Sequence, residues 1–306
     1  MKIGVVGTFI KDHIVLANGD EIESFGGIYY TLSILGNLLT EEDEIYPVCY
    51  LGTDIYDEIR SKLSQHKNIH FSGIKKTAQN NTAVTLIYSD FENRDEILTG
   101  LLPPINPDHF HEVPPVDIWL VNFISGFEMS LDTFRRFCEK QSGLIFMDFH
   151  SLSLSIDEQG RRRHRRLSNW EQWIRGVDIL QMNEGEAATL WDSEKLTQAE
   201  LVQLGRGLVE KYVDVFHITR GAKGSLLFYR NDQRIIDQEI PPADVAEVID
   251  VTGCGDAFAA GFLVHYHHHR DCVAAAHYAN RIAGANATIR GTEELFKLTK
   301  FLMDGK

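Results

Sequence analysis

The sequence predicts an α/β protein with a mostly parallel central sheet, helices on both faces and a small β element attached. Three observations carry this. Short apolar runs alternate with longer stretches of helical period along most of the chain, the pattern of strand–helix units that build parallel sheets. Runs such as Ile118-Trp119-Leu120-Val121 are apolar without alternation, as strands covered on both faces are. The length of 306 residues, with 43% hydrophobic and 24% charged, suffices for a large core that needs no metal or disulfide staple.

Strands are expected, in order, at Lys2–Val6, Ile45–Tyr50, Ala83–Tyr88, Ile118–Asn122 and Leu144–Asp148, then at Ile179–Met182, Val215–Thr219, Ser225–Tyr229 and Arg234–Gln238. Helical period marks Tyr29–Leu39, Ile55–Gln65, Leu131–Gln141, Arg161–Arg175, Thr197–Tyr212 and Cys272–Thr288. Two segments break the rhythm. Asp12 to Phe25 alternates apolar and polar residues around Asn18-Gly19, a hairpin signal. Thr82 to Leu98 reads as Ala83–Tyr88 and Glu96–Leu98 joined by a polar stretch. Residues 12–25 and 82–98 are therefore expected to form a small β lid. With no repeat and no low-complexity linker, a single domain over residues 1–306 is the economical expectation.

Composition narrows the function. The chain carries 30 basic and 44 acidic residues, a net charge of −14, which opposes nonspecific binding to nucleic acid or to an anionic membrane. No apolar stretch approaches the roughly 20 residues of a membrane span. Cys49, Cys138, Cys254 and Cys272 show no ligand spacing, and the N-terminal run lacks the charged and apolar regions of a secretory leader. A soluble, reduced, cytoplasmic protein is expected. His265 and His267–His269 point around a helix and make no metal site. The arginines of 161–166 read as a solvated helix face. Gly4 and Gly7 are followed by no dinucleotide-binding glycine loop.

The segment richest in chemistry runs from Val248 to Phe262. An apolar run ends at Gly253-Cys254-Gly255, and a small-residue helix begins at once. Glycines permit a tight turn whose amides converge, and the helix behind adds its own unsatisfied N–H groups, so the pair makes an anion site. Asp256 then sits in the first helical turn, where an acid repels a phosphate unless it takes a proton from an attacking hydroxyl. A plain turn with a capping acid fits the same residues, and the spacing alone leaves both readings open.

This segment resembles the second signature of the ribokinase-like (PfkB-type) carbohydrate kinases, a D-T-x-G-A-G-D-x-F stretch. Asp250, Thr252, Gly253, Gly255, Asp256 and Phe258 match, with Cys254 where alanine is common. Further landmarks follow over nearly the whole chain. Gly26-Gly27 resembles the first signature, Gly52-Thr53-Asp54 a G-x-D, and Asn183 with Glu186 an N-x-x-E motif. Thr219, Gly221 and Gly224 match a T-x-G-x-x-G nucleotide loop, and Asn280 lies on the following helix. The resemblance implies a ribokinase-like three-layer α/β/α sandwich and an ATP-dependent kinase.

The roles below are what the resemblance implies. Asp256 would be the base, and the amides of Gly253, Cys254 and Gly255 the anion hole. Asn183 and Glu186 would organise magnesium through its waters, although an N-cap suits Asn183 equally. Thr219, Gly221 and Gly224 would line the nucleotide's ribose and phosphates, with Asn280 on the adenine side. Asp250 and Thr252, with the carbonyls of Ala287 and Arg290, would frame a monovalent-cation site for potassium. Asp12, Gly26, Gly27 and Thr31 would meet the acceptor, with Arg94 closing over it.

The acceptor end departs from the family pattern. Sugar kinases of this kind read G-G-x-x-x-N, and Thr31 stands in place of the asparagine, preceded by Tyr29 and Tyr30. Threonine offers one hydroxyl where asparagine offers a donor and an acceptor. A sugar or sugar-like acceptor is the expectation. A nucleoside or a hydroxymethyl vitamin precursor is the alternative, and a catalytically silent ligand sensor is the rival outside enzymes. A homodimer through the lid is a further expectation of the resemblance.

Overall fold

The computed structural model describes residues 1–295 apart from 89–93, 192, 246 and 293. The first half of the chain forms β1 (Lys2–Val6), β2 (Phe9–Val15), β3 (Glu21–Gly27), α1 (Ile28–Leu38), β4 (Glu44–Gly52) and α2 (Tyr56–Leu63). It continues through β5 (Ile74–Thr77), β6 (Ala83–Tyr88), β7 (Arg94–Thr99), β8 (Ile118–Asn122), α3 (Leu131–Lys140) and β9 (Leu144–Asp148). Next come β10 (Leu154–Ile156), β11 (Arg162–His164), α4 (Trp170–Ile174), β12 (Ile179–Asn183), α5 (Glu184–Trp191) and α6 (Gln198–Lys211). The last elements are β13 (Val215–Thr219), β14 (Ser225–Asn231), β15 (Arg234–Ile240), α7 (Cys254–His269) and α8 (Cys272–Ala287).

Nine strands form the main sheet in the order β15-β14-β13-β12-β9-β8-β1-β4-β5. Pairing is parallel from β13 through to β5 and antiparallel only at the β13–β14–β15 edge. The central strands are buried on both faces, as their unbroken apolar runs require. On one face Val121, Met147, Met182 and Phe216 pack against Phe134 and Phe137 of α3 and Leu201, Leu204 and Leu208 of α6. On the other, Ile3 and Val5 meet α1, α2, α7 and α8, while Leu120, Phe146 and Leu227 take Phe258 and Phe262 of α7. The result is a three-layer α/β/α sandwich. No helix among the described residues is long and apolar enough to cross a membrane.

A second sheet, β3-β2-β6-β7, stands beside the first. Its β2–β3 hairpin turns at the expected Asn18-Gly19, with Val15 opposite Glu21. The two lid segments thus join into one sheet through the parallel pair β2–β6.

The helix expected over Arg161–Arg175 is corrected. Asp157 organises a turn, its carboxylate accepting from the amides of Gln159 and Arg161 at 2.9 Å, and the chain returns as strand β11 against β10. The Gly160 carbonyl then accepts from Leu98 N at 2.8 Å, so this hairpin borders β7. Only Trp170–Ile174 of the expected span is helical. The arginine run therefore follows a strand's alternation, and Arg162 points inward with its side chain only 6% exposed. Strand β5 and helix α5 were not expected from the sequence; at four and eight residues each is short enough for its period to be indistinct.

Candidate active site

The parallel strands β8, β9, β12 and β13 end in the polar residues Asn122, Asp148, Asn183 and Thr219. Asn122 of β8 is in register with Asp148 of β9, Gln181 of β12 pairs with Asp148, and Asn183 pairs with Thr219 of β13. The C-terminal edge of a parallel sheet is where open α/β folds place their ligands. A cavity of about 530 Å³ lies there, bounded by the sheet edge, the start of α7 and the inner face of the second sheet.

Asp256 sits at the middle of this cavity, in the first turn of α7. Its Oδ1 accepts two hydrogen bonds, from Thr31 Oγ1 at 2.6 Å and from Asn122 Nδ2 at 2.8 Å. Burial raises the Asp256 carboxyl above its ordinary range, and the Thr31 bond, His150 and Asn122 act against that rise. Helix α7 starts from Gly253, which has φ 74° and a left-handed conformation. A Cβ there would lie 2.3 Å from Cδ1 of Tyr30, so only glycine lets the loop lie on that ring. Cys254 turns its amide to the carbonyl of Val251 at 3.2 Å, so of the three amides expected to form an anion hole this one is already engaged. Burial pushes the Cys254 thiol up to about 11, so it is protonated and unreactive.

Asn183 and Glu186 form a reciprocal cap on α5. Glu186 N donates to Asn183 Oδ1 at 2.8 Å, while Asn183 N and Nδ2 donate to the Glu186 carboxylate at 2.9 and 2.6 Å. The carboxylate still borders the cavity and lies 3.5 Å from Nδ1 of His150. Burial disfavours the charged His150 ring, but Glu186 and Asp148 outweigh it and raise the ring to about 9. His150 also holds φ at 32°, a conformation uncommon for a residue with a side chain. Asp148, buried and beside Glu186, is raised well above the ordinary carboxylate range.

The remaining expected residues divide by position. Thr219, Gly221 and Gly224 line the cavity, as do Ala243, Val245 and Val248. Asn280 also lines it, but its amide is engaged with the carbonyls of Ile240 and Pro241 at 3.3 and 2.8 Å. Asp12 reaches in from β2, and Gly26 makes room for it, since a Cβ there would lie 2.1 Å from Asp12 Oδ2. Gly27 lines the same wall. Thr31 does not: it is fully buried behind Asp256 and presents no atom to the cavity. The side chain of Arg94 lies outside the described residues. Of the expected cation ligands, Thr252 and Ala287 border the cavity and Asp250 and Arg290 do not.

Five residues here escaped the sequence reading. Asn122 and Asp148 are polar residues in the last positions of buried strands, and Gln181 is a polar residue in the middle of one, a signal that was available. His150 follows one of them. Arg162 was hidden by the wrong helix; its guanidinium donates to the Ile124 carbonyl at 2.9 Å and to Ser151 Oγ, and lies 3.8 Å from Glu96 of β7.

Comparison with known proteins agrees with this geometry. Residues 161–297 match the pfkB family carbohydrate kinase model. The chain is 33% identical over 132 residues to the ribokinase of Arabidopsis thaliana, covering 41% of this chain and 34% of that one. It is 46% identical over 54 residues to a nucleoside kinase of Methanocaldococcus jannaschii, covering 18% and 17% respectively. These matches thus span about a third or less of the curated relatives' length. In three dimensions, the structure of Arabidopsis thaliana ribokinase complexed with ribose and ATP superposes with a TM-score of 0.74, at 20% identity, covering 97% of this chain and 98% of that one. The family model falls on the part of the chain that contains the Gly253–Asp256 loop, and over the rest the likeness is one of fold: the chain has the ribokinase-like fold and is similar to the PfkB-type carbohydrate kinases across residues 161–297.

Proposed function

We propose that this protein is a phosphotransferase that moves the γ-phosphoryl group of MgATP to a hydroxyl of a small sugar or nucleoside. The observation that carries this is the position of Asp256. It stands in the first turn of α7, beside Gly253 and Gly255, in a cavity whose lining includes one wall from the second sheet and another from the 219–224 loop. An acceptor on the first wall presents its hydroxyl to the carboxylate, and a donor on the second presents its terminal phosphate to the amides. Thr31 and Asn122 hold Oδ1, leaving Oδ2 to take the proton as the hydroxyl attacks in line. The two glycine amides then face the charge developing on the transferred group.

The donor's base would rest among Ala243, Val245, Val248, Ala283 and Gly284. Val248 and Val251 are 49% and 66% exposed, apolar surface that a bound base would cover. Glu186 and Asp148 border the cavity as hard oxygen donors, and no group of three ligating side chains closes into a cage among the described residues. That donor set suits magnesium held through its waters. Bound there, the ion would neutralise charge on the donor phosphates.

The second sheet would act as a lid on one kinase domain, keeping water from the phosphoryl group. Its wall pairs carboxylates from Asp12 and Glu96 with apolar Ile10, Val84, Leu86 and Ile124. Hydroxyls suit the first pair. The apolar strip favours an acceptor that also carries a ring, and so a nucleoside over a free sugar. The test is ATP consumption over a panel of pentoses, hexoses, polyols, nucleosides and hydroxymethyl vitamin precursors, with Asp256→Asn alongside. Turnover that Asp256→Asn abolishes, in a folded protein that still binds ATP, supports the reading. Near-normal turnover in that variant would refute it, and silence across the panel with intact ATP binding would favour a ligand sensor.

A further inference from the structure

The loop that carries Gly253 to Asp256 is tied to the end of α8 by contacts that bear on the implied potassium site. Such a site draws several oxygens with lone pairs to spare toward one point. Here three of the four expected ligands, Ala287, Thr252 and Asp250, already accept hydrogen bonds. The Ala287 carbonyl accepts from the amides of Ile249 at 2.7 Å and Asp250 at 3.2 Å, which uses both its lone pairs. The Thr252 carbonyl accepts from Asn286 Nδ2 at 2.8 Å. The Asp250 carboxylate accepts from Thr252 N at 2.9 Å and Gly291 N at 3.3 Å. Asn286 is 3% exposed, and its Nδ2 also lies 3.5 Å from Sγ of Cys254. A side-chain amide therefore sits directly beneath the turn that orients Gly253 and Gly255. With the Ala287 carbonyl saturated and Thr252 and Asp250 each committed to bonds within the turn, these residues fit a cation site poorly.

We propose that this chain sets its phosphate loop without a monovalent cation, the Asn286 amide N–H giving the Thr252 carbonyl the electropositive partner that an ion would otherwise be. Asn286 is then a positioning residue for the Gly253–Asp256 turn. Its catalytic consequence rests on the kinase reading; its structural consequence does not.

The test compares thermal unfolding at matched ionic strength in potassium, sodium and tetramethylammonium chloride. The wild-type midpoint is expected to be the same in all three salts. Asn286→Asp places a carboxylate, which cannot donate, against the Thr252 carbonyl. Its midpoint is expected to fall in tetramethylammonium and to rise again in potassium, as a cation enters between the two oxygens. Asn286→Ala is expected to stay folded and to lose about tenfold in kcat or more with little change in acceptor KM, since misplaced amides cost the transition state rather than binding. A wild-type midpoint that rises specifically in potassium overturns the proposal. So does Asn286→Ala with wild-type kcat. The melting series needs no substrate, so failure of the kinase reading and failure of this proposal are told apart.

Discussion

Thr31 Oγ1 and Asp256 Oδ1 lie 2.6 Å apart, a hydrogen bond between helix α1 and the first turn of α7. Thr31 stands where the family's sugar kinases place an asparagine, and it turns its one donor to the carboxylate rather than to an acceptor. A bond to the ionised form lowers a pKa, and burial has already raised this carboxyl. Thr31→Val keeps the shape and removes the donor, so the carboxyl moves further up. The acid limb of the kcat–pH profile is expected to shift to higher pH, with a loss of less than about tenfold on the plateau above it. Acceptor KM should hardly change. An unmoved limb together with a raised acceptor KM would mean that Thr31 contacts the substrate after all.

The layers of this fold were legible because burial on both faces leaves a direct mark on a strand. Ile118–Asn122 and Leu144–Asp148 show it fully. The proposed base, Asp256, and its glycines were legible for a similar reason: chemistry and backbone geometry meet within one short segment. The rest of the site was not, since Thr31, Asn122 and Asp256 come together from three elements, and no local spacing records their meeting. Arg162 failed differently. A run of arginines looks the same on a helix face as on a strand, and the turn at Asp157–Gly160 that decides between them is made by a side-chain carboxylate.

Gly253→Ala tests how the loop is seated. The left-handed backbone costs a residue with a Cβ about 1–2 kcal/mol, and the added Cβ would also press on the Tyr30 ring, 2.3 Å away. We expect a lower thermal midpoint and at least about a hundredfold loss of turnover, as the amides leave the phosphoryl position. Tyr30→Ala relieves the collision but not the backbone. The double variant should therefore be less destabilised than the two single losses predict, with a coupling of about 1–3 kcal/mol by denaturant unfolding. Simple additivity would show that the ring does not seat the loop.

Arg162 joins the β10–β11 hairpin, the core and the second sheet through one guanidinium. Arg162→Met withdraws a donor from the Ile124 carbonyl and a cation from Glu96. Removing one member of a buried pair costs about 3–5 kcal/mol; with Glu96 25% exposed, about 2–3 kcal/mol is expected here. Glu96→Gln should cost about 1 kcal/mol or less. Both residues border the acceptor wall, so each variant is expected to raise the acceptor's KM and leave the ATP KM unchanged. Equal changes in the two constants would remove Arg162 and Glu96 from the acceptor side.

Two buried histidines, His217 and His109, are expected to make stability depend on pH in the acid range. His217 on β13 is fully buried between Phe258 and Phe262, with ring centroids 5.2 and 4.2 Å away, and neither ring nitrogen has a hydrogen-bond partner among the described residues. Burial pushes it down to about 3. His109 is pushed down to about 4, by burial and then by Lys75, with Asp108 opposing. Both begin near 6.5 when unfolded. Below that pH the unfolded chain gains protons that the folded chain refuses, so stability falls with falling pH, at up to about 1.4 kcal/mol per pH unit for each group. The loss runs from about pH 6.5 down to the folded values of about 3 and about 4. His217→Phe fills a similar volume beside aromatic neighbours and cannot take up a proton. Its thermal midpoint should therefore fall less steeply than that of the wild type between neutral and mildly acid pH, while the two stay close at neutral pH. Parallel curves would place the acid sensitivity elsewhere, in the carboxylates rather than in the core imidazole.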